Sequence, residues 1–459
     1  MNTQHMNHAL KLDADKCIGC THCIKVCPTE AIRVVNGKAN VQAERCVDCG
    51  ECVRACPYNA FYVDEDDWAL KEQYKYRVAL FPSVFIGQFA RNHSQESIYG
   101  AILKLGFTHV YEVEQPIALL KEITKEYCAD EEKTKPFISS YCPAVVRLIQ
   151  LKFPSLTENI INIKAPHDLS ANYIKRSLMN RGAKEDEIGI FYISPCVAKM
   201  AAVKNPIGEK QSIINGVLNM KEAYNRVMKV LETGEVEAVA TDFMKRLTRD
   251  GVKWGLTTGE SKHAKGKSMA IDGIHNVIKF LDRLENDEAP WLHFLEVRAC
   301  DLSCAGGILL TGNRFLTDDR LRKRAQKFPA AGKVEDLQVT VDLDELRKKL
   351  YTDPIPPKPI MMLDTDMGRA LEKLARARNI MCHLPGIDCG ACGAPTCQAL
   401  AEDMVQAKAK MSDCIFLQQT WQRQGKISAQ KAFDNMENKW GKNRFMPDCN
   451  KKGAKNESL

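Results

Sequence analysis

Sixteen of the chain's nineteen cysteines fall into sets of four that could hold metal. Cys17, Cys20, Cys23 and Cys27 recur 29 residues later as Cys46, Cys49, Cys52 and Cys56. Each half reads C-x2-C-x2-C-x3-C-P, in which a tight loop wraps three thiolates around a cubane 4Fe-4S cluster and sends the fourth to the neighbouring cluster. That spacing groups Cys17, Cys20 and Cys23 with Cys56, and Cys46, Cys49 and Cys52 with Cys27. A pair of zinc ribbons would favour separated C-x2-C pairs over a run of four thiols. Further on, Cys389, Cys392 and Cys397 form C-x2-C-x4-C, followed by Cys414. Gly390, Gly393 and Pro395 make a turn tight enough to wrap a third site, a 4Fe-4S cluster or a zinc knuckle. The last set is dispersed: Cys142 in SSYCPAVVR, Cys196 in ISPCVAKMA, and Cys300 with Cys304 in LEVRACDLSCAGG, where Gly306 and Gly307 would let backbone approach a bulky inorganic group. Spacing leaves two readings open here, one buried metal site or four inert core thiols.

The elements that must position these residues follow from pattern. At 459 residues the chain suggests about three domains. After the first cysteine block, short β-rich runs (YRVALFPSV, THVYEV, KPFISSY, EIGIFYIS, VEAVATDF, LHFLEVRA) alternate with amphipathic stretches such as SQESIYGAILKLG and MKEAYNRVMKVLETG. Alternation of this kind predicts an α/β domain in two lobes with mostly parallel sheets. Cys142, Cys196 and Cys300 each fall just past a predicted strand, where such folds place their sites. The boundaries read 1–76 for the two-cluster block, 77–352 for the α/β domain, 353–360 for a Pro-rich linker, 361–420 for a small mainly α iron-sulfur domain and 421–459 for a polar basic tail without assigned structure.

Composition narrows the function classes. The net charge of +7 comes from dispersed basic residues with no nucleic-acid fingerprint, and no run approaches the roughly 18 apolar residues of a membrane span. MNTQHMNHALKLDADKC lacks the apolar core of a secretory signal, so a cytoplasmic location is expected. Clustered cysteines in a large intracellular chain favour metal ligation over disulfides. The ten histidines show no ligand spacing among themselves; His22, inside the first cluster loop, is either a modulator of cluster potential or an exposed loop residue. The basic run Arg320 to Lys327 is either a solvated face or a patch for an acidic partner. Cys128, Cys382 and Cys449 receive no role.

The N-terminal block resembles the two-cluster bacterial ferredoxins, with their α+β fold. The stretch PGIDCGACGAPTCQALAEDMVQ resembles the four-cysteine 4Fe-4S module of electron-transfer subunits in anaerobic redox complexes. SSYCPAVV, SPCVAKMA and EVRACDLSCAGG resemble, in order and position, the three signature motifs of the iron-only (diiron) hydrogenases. That resemblance implies that Cys142, Cys196, Cys300 and Cys304 hold a cubane cluster and that Cys304 bridges it to a diiron subsite carrying carbon monoxide, cyanide and a dithiolate amine. It further implies that Lys199 anchors a cyanide. A compact ammonium suits a buried anion, although base rates favour a solvated lysine at a helix start.

Departures from the family pattern are as informative. Tyr141 stands where the family has a proton-donating cysteine beside the amine, and a phenol, with an ordinary pKa near 10 against about 8.5 for a thiol, should deliver protons more slowly. Ser194 replaces a methionine, Ala202 a common glutamate, and ILLTGNRF follows Gly307 in place of another glycine and proline. The pattern resembles the divergent, sensory-type branch. The expectation is a slow, reversible oxidation of hydrogen to protons and electrons, with Lys199, Cys304 and Tyr141 at the reacting centre. Four 4Fe-4S clusters (two ferredoxin-type, one central, one C-terminal) would relay electrons to a redox carrier such as ferredoxin or to a partner subunit. A hydrogen or redox sensor with a signalling partner, and an electron-transfer subunit without a diiron subsite, are the alternatives.

Overall fold

The computed structural model describes residues 8–234, 236–239, 246–330, 332, 341–358, 363–364, 366–442 and 444–445. The chain divides into two compact units. The larger comprises Met1–Leu10, Val47–Gly50 and Val63–Pro359, and the smaller comprises Lys11–Cys46, Glu51–Tyr62 and Ile360–Leu459.

In chain order the early elements are β1 (Leu10–Leu12), α1 (His22–Val26), β2 (Ile32–Val35), β3 (Lys38–Val41), α2 (Glu51–Ala55) and β4 (Phe61–Val63). There follow β5 (Tyr76–Phe81), α3 (Gln95–Lys104), β6 (His109–Glu112), α4 (Ile117–Tyr127), β7 (Phe137–Ile138), α5 (Pro143–Lys152), α6 (Pro166–Met179), β8 (Ile188–Ser194) and α7 (Val197–Lys204). The α/β region is completed by β9 (Gly216–Asn219), α8 (Met220–Glu232), α9 (Arg249–Val252), β10 (Ser268–Asp272), α10 (Ile274–Glu285), β11 (Phe294–Arg298) and α11 (Arg314–Ala325).

Two parallel sheets organise the larger unit. One has the order β6-β5-β8-β9 and the other β10-β11-β7, every pairing parallel. The central strand β8, IGIFYIS, is buried at all seven positions, as expected of a parallel strand covered on both faces. Helices supply the cover through apolar seams: α10 buries Ile274, Val277, Leu281 and Leu284, and α8 buries Met220, Ala223 and Val227, both at helical spacing. α5 is more deeply sunk, with Pro143 to Leu151 all buried. No helix among the described residues is long and apolar enough to cross a membrane.

Two strands differ from the sequence expectation. The run at 236–243 forms no strand over residues 236–239, and its remainder lies outside the described residues; β9 and β10, short and weakly alternating, take the outer positions instead. Both owe their pairing to a fully buried neighbour, β8 or β11, rather than to their own pattern.

In the smaller unit β2 and β3 form an antiparallel hairpin, and the cysteine-rich C-terminal segment packs on it. Val34 donates its backbone N–H to the Gly393 carbonyl at 2.8 Å. A Cβ at Gly393 would stand 2.6 Å from the Val34 carbonyl oxygen, so only glycine permits this approach. Two buried ion pairs fix the contact, Arg33 with Asp403 and Arg45 with Glu402, each at 2.5 Å. The polar tail is partly helical: Ala429–Trp440 is a helix whose Trp440 Nε1 donates to the Ala391 carbonyl at 2.9 Å and whose Lys439 pairs with Asp413 at 3.1 Å. Ala429, Ala432, Phe433, Met436 and Trp440 recur at helical spacing along it, and these tertiary contacts hold it in place.

Candidate cluster sites

In the smaller unit the N-terminal cysteines gather as their loops demand. Cys23, ahead of α1's last turn, lies close to Cys20, Cys17 and Cys56, and burial together with these thiols pushes its own thiol up to about 12. Cys52 at the start of α2 is nearly enclosed; burial and then Cys46, Cys27 and Cys23 raise it well above the ordinary range. Cys49 falls in the Val47–Gly50 segment, which belongs with the larger unit. There Asp48 accepts a charge-assisted hydrogen bond from Arg147 of α5, both side chains buried. Backbone N–H groups already point at sulfur, from Ala31 to Cys27 Sγ at 3.2 Å and from Ala39 to Cys17 Sγ at 3.3 Å. His22 is exposed.

The C-terminal set also converges. Cys392 is pushed up to about 11 by burial, with Cys414 and Cys389 beside it, and Cys414 is raised by burial with Cys397 and Cys389 beside it. Asp388 Oδ1 accepts from the Cys397 N–H at 2.7 Å and so ties the loop to the helix Cys397–Val405. The connecting segment after that helix turns back through Met411–Asp413, which returns Cys414 to the loop.

In the larger unit Cys142 follows β7 and supplies the residue before α5; Cys196 follows β8 and precedes α7. Both cysteines therefore stand at helix N-termini. Cys300 and Cys304 follow β11, on either side of Leu302 and Ser303, whose φ values of 59° and 54° are left-handed without glycine. Such strain concentrates where a loop must hold one shape. Two glycines make that shape possible: a Cβ at Gly306 would stand 1.9 Å from the Asp301 carbonyl oxygen, and one at Gly307 2.6 Å from that of Pro195. The second contact locks the Cys304 loop to the Cys196 loop.

The side chains meet in one buried pocket. Lys199, on the first turn of α7, brings Nζ to 3.7 Å from Cys304 Sγ, and the Tyr141 hydroxyl lies 3.5 Å from the same sulfur. Cys196 is pushed up to about 12 by burial, with Cys304 and Cys142 adding to the effect against Lys199. Burial opposes charge on Lys199, yet Cys304, Tyr192, Cys196 and Cys142 outweigh it and hold the ammonium above the ordinary lysine range. Ser194, fully buried, accepts from the Cys196 N–H at 3.4 Å and donates to the Cys196 carbonyl at 2.9 Å, so it braces the turn. Ala202 lines a separate small cavity of about 70 Å³ with His167 and Asp168.

Several residues that sequence reasoning missed build the wall. The Tyr141 ring is clamped between Lys199 Nζ, 3.9 Å from its centroid, and Arg298 Cζ, 4.0 Å on. Arg298 is itself held by Glu260 at 2.7 Å and Glu296 at 3.7 Å, and Ser139 donates to Glu260 at 2.5 Å. Burial opposes the guanidinium, but Glu260 and Glu296 raise it far above the usual range. Tyr141 is raised well above an ordinary phenol, first by burial and then by Cys304. Gly255 accepts from the Cys304 N–H at 2.9 Å, and a Cβ there would meet the Tyr141 hydroxyl at 3.4 Å. Tyr192 stacks on His167 and buries a hydroxyl with no hydrogen-bond partner among the described residues, close to Lys199 and Cys304. A charged arginine at 298 leaves no hydrophobic periodicity to read, and of its two acidic partners Glu296 shares β11 while Glu260 lies just before the Ser261–His263 turn.

The donor chemistry suits iron-sulfur clusters. Crowded buried thiols with raised pKa values resist ionisation alone, and cationic iron removes that resistance. The central pocket adds the Lys199 ammonium and the Tyr141 hydroxyl, both beside Cys304 Sγ.

Comparison with known proteins agrees. Residues 75–265 match the family model of the iron only hydrogenase large subunit, C-terminal domain. Residues 9–57 match a 4Fe-4S dicluster domain and 384–416 an Fe-S cluster family. Iron hydrogenase 1 of Clostridium pasteurianum is 24% identical over 256 residues, 46% of this chain and 44% of that protein. This is an iron-only hydrogenase-like protein.

Ferredoxin-2 of Desulfomicrobium norvegicum is 50% identical over 34 residues, 7% of the chain and 58% of that protein. The hydrogenase-like chain thus spans less than two thirds of the length of either relative. Among solved structures, the [FeFe]-hydrogenase HydA(deltaEFG) aligns over 63% of this chain and 98% of its own at 14% identity and a TM-score of 0.48. A variant of HydA1 from Chlamydomonas reinhardtii aligns over 62% and 95% at 14% identity and a TM-score of 0.46. The hydrogenase match at 75–265 contains Cys142, Cys196 and Lys199, whereas Arg298, Cys300 and Cys304 follow it.

Proposed function

We propose that this hydrogenase-like iron-sulfur protein is a slow, hydrogen-responsive oxidoreductase. Cys142, Cys196, Cys300 and Cys304 would hold a cubane cluster, Cys304 would also bind a diiron subsite, and Lys199 would face a bound anion. The observation that carries this reading is the convergence of Cys142, Cys196, Cys304, Lys199 and Tyr141 in one buried pocket at the carboxyl ends of two parallel sheets. When bound, the diiron group supplies the interconversion of hydrogen with protons and electrons, and the protein supplies ligation, orientation and exclusion of water. Lys199 offers a charge-assisted donor beside Cys304. Tyr141, fixed on both faces by cations and raised in pKa, gives up a proton reluctantly, which makes turnover slow. The ferredoxin-type and C-terminal cysteines would carry two and one further 4Fe-4S clusters, passing electrons to a redox carrier or partner subunit.

The same clamp on Tyr141 favours a second reading, a hydrogen sensor whose cluster state a signalling partner reads. Iron analysis and infrared spectroscopy on protein matured with the diiron subsite test both. About 18 iron atoms per chain are expected, against about 16 for four cubanes alone. Metal-bound carbon monoxide and cyanide bands that shift under hydrogen support the proposal; their absence leaves an electron-transfer protein. Turnover separates the enzyme from the sensor.

A further inference from the structure

The Tyr192 side chain on β8 is fully enclosed, and its hydroxyl has no hydrogen-bond partner among the described residues. A phenol taken out of water and left unpaired costs stability, and a phenylalanine of the same shape would not incur that cost. A hydroxyl in such a place calls for an acceptor that the chain itself does not supply.

Its surroundings say where that acceptor lies. Tyr192 shares a face of β8 with Ser194, whose side chain braces the Cys196 turn. The charges that act on the phenol are those of Lys199, Tyr141, Cys196 and Cys304, the walls of the central pocket. In return, Tyr192 stands second only to Cys304 among the groups that hold the Lys199 ammonium. The ring is set from behind by His167 of α6, stacked with centroids 4.9 Å apart and planes 12° from parallel. Burial, then Lys199, push His167 down to about 3, so the imidazole stays neutral and adds no charge to the pocket. Burial holds the Tyr192 phenol well above its ordinary range against the pull of Lys199, and Tyr141, Cys196 and Cys304 add to the rise. It stays a donor across the neutral range.

Three donors therefore line one pocket. Lys199 Nζ and the Tyr141 hydroxyl both lie beside Cys304 Sγ, at 3.7 and 3.5 Å, and the Tyr192 hydroxyl is left over. We propose that the Tyr192 hydroxyl is a second donor, beside Lys199, to a cyanide-type anionic ligand of the diiron group held at Cys304. This role rests on the hydrogen-responsive reading above. The two donors differ in what they bring. Lysine supplies charge on a flexible stem, whereas a phenol on a ring fixed by stacking supplies direction. The terminal lone pair of such a ligand accepts an O–H, and the neutral phenol places no further charge in a buried site. Tyr192 would orient the ligand, and His167 would position Tyr192.

Tyr192→Phe tests this, since it removes the hydroxyl and keeps the stacked ring. The full chain is compared without oxygen in two forms, one carrying its 4Fe-4S clusters alone and one matured with the diiron group. In the cluster-only form the variant should show a higher urea midpoint than the wild type by pulse proteolysis, because an unpaired buried hydroxyl is gone. In the matured form its midpoint should fall below that of the wild type, because a bond to the ligand is lost. Infrared spectra of the matured form should show a cyanide band displaced in Tyr192→Phe. Midpoints that move in the same direction in both forms place the acceptor in a water or a cubane sulfide and overturn the proposal, as do cyanide bands that coincide in the two proteins. Failure of the hydrogen reading looks different: carbon monoxide and cyanide bands are then missing from the wild type itself, and the role of Tyr192 falls with it.

Discussion

Arg298→Met is the sharpest probe of the pocket wall. The Arg298 side chain is 2% exposed and pairs with Glu260 at 2.7 Å, while its guanidinium covers one face of Tyr141 at 4.0 Å. Removing one member of a buried ion pair costs about 3–5 kcal/mol, because the other charge is left uncompensated. Loss of a desolvated cation–π contact adds about 1–2 kcal/mol. Against a typical stability of about 5–15 kcal/mol, the variant should be severely weakened. The double variant Glu260→Gln with Arg298→Met removes both charges and should recover at least about 2 kcal/mol. Urea-dependent pulse proteolysis of the cluster-loaded protein without oxygen reads the effect. With an m of about 2 kcal/mol per molar, the single variant moves the midpoint down by about 2–3.5 M. A loss under about 1 kcal/mol, or single effects that simply add in the double variant, would refute the clamp.

Gly307→Ala should uncouple the Cys304 and Cys196 loops, since its Cβ would meet the Pro195 carbonyl at 2.6 Å; a loss of about 2–3 kcal/mol and lower iron content are expected, checked by denaturation and iron analysis. In the smaller unit, Asp403→Ala leaves Arg33 buried without its partner, and limited proteolysis should release the C-terminal cluster segment sooner than in the wild type. Glu114 links pH to stability. Its folded pKa of about 8 exceeds the ordinary 4.5, so its favourable contribution is complete below pH 4.5 and is lost as pH rises through 8. Glu114→Gln should therefore gain stability relative to the wild type across that window, and a constant difference between the two from pH 4.5 to 8 would contradict the assignment.

Much of this protein is legible in the order of its residues. A C-x2-C-x2-C-x3-C-P run needs only a loop, so its chemistry can be read without knowing the fold. The alternation of apolar runs and amphipathic stretches specified parallel sheets, because β8 is apolar enough to be buried on both faces, whereas β11 buries Glu296 and Arg298 only through ion pairs. Where strands were short, as at β9 and β10, pattern failed and pairing decided.

The central pocket is another matter. Cys142, Cys196 and Cys304 come from three strand ends, and Lys199, Tyr141 and Arg298 meet only because parallel sheets carry those ends to one place. The clamp of Arg298 by Glu260, the hydrogen bonds of Ser83 to Glu112 and Glu114 and the docking of the Ala429–Trp440 helix likewise join residues from separate elements. Sequence alone determined the ferredoxin-type thiol loops and the layered α/β plan, since both depend on local spacing and periodicity. Tertiary structure decided which charges face which sulfur, since burial and Coulomb interactions act through space and leave no mark on neighbouring positions of the chain.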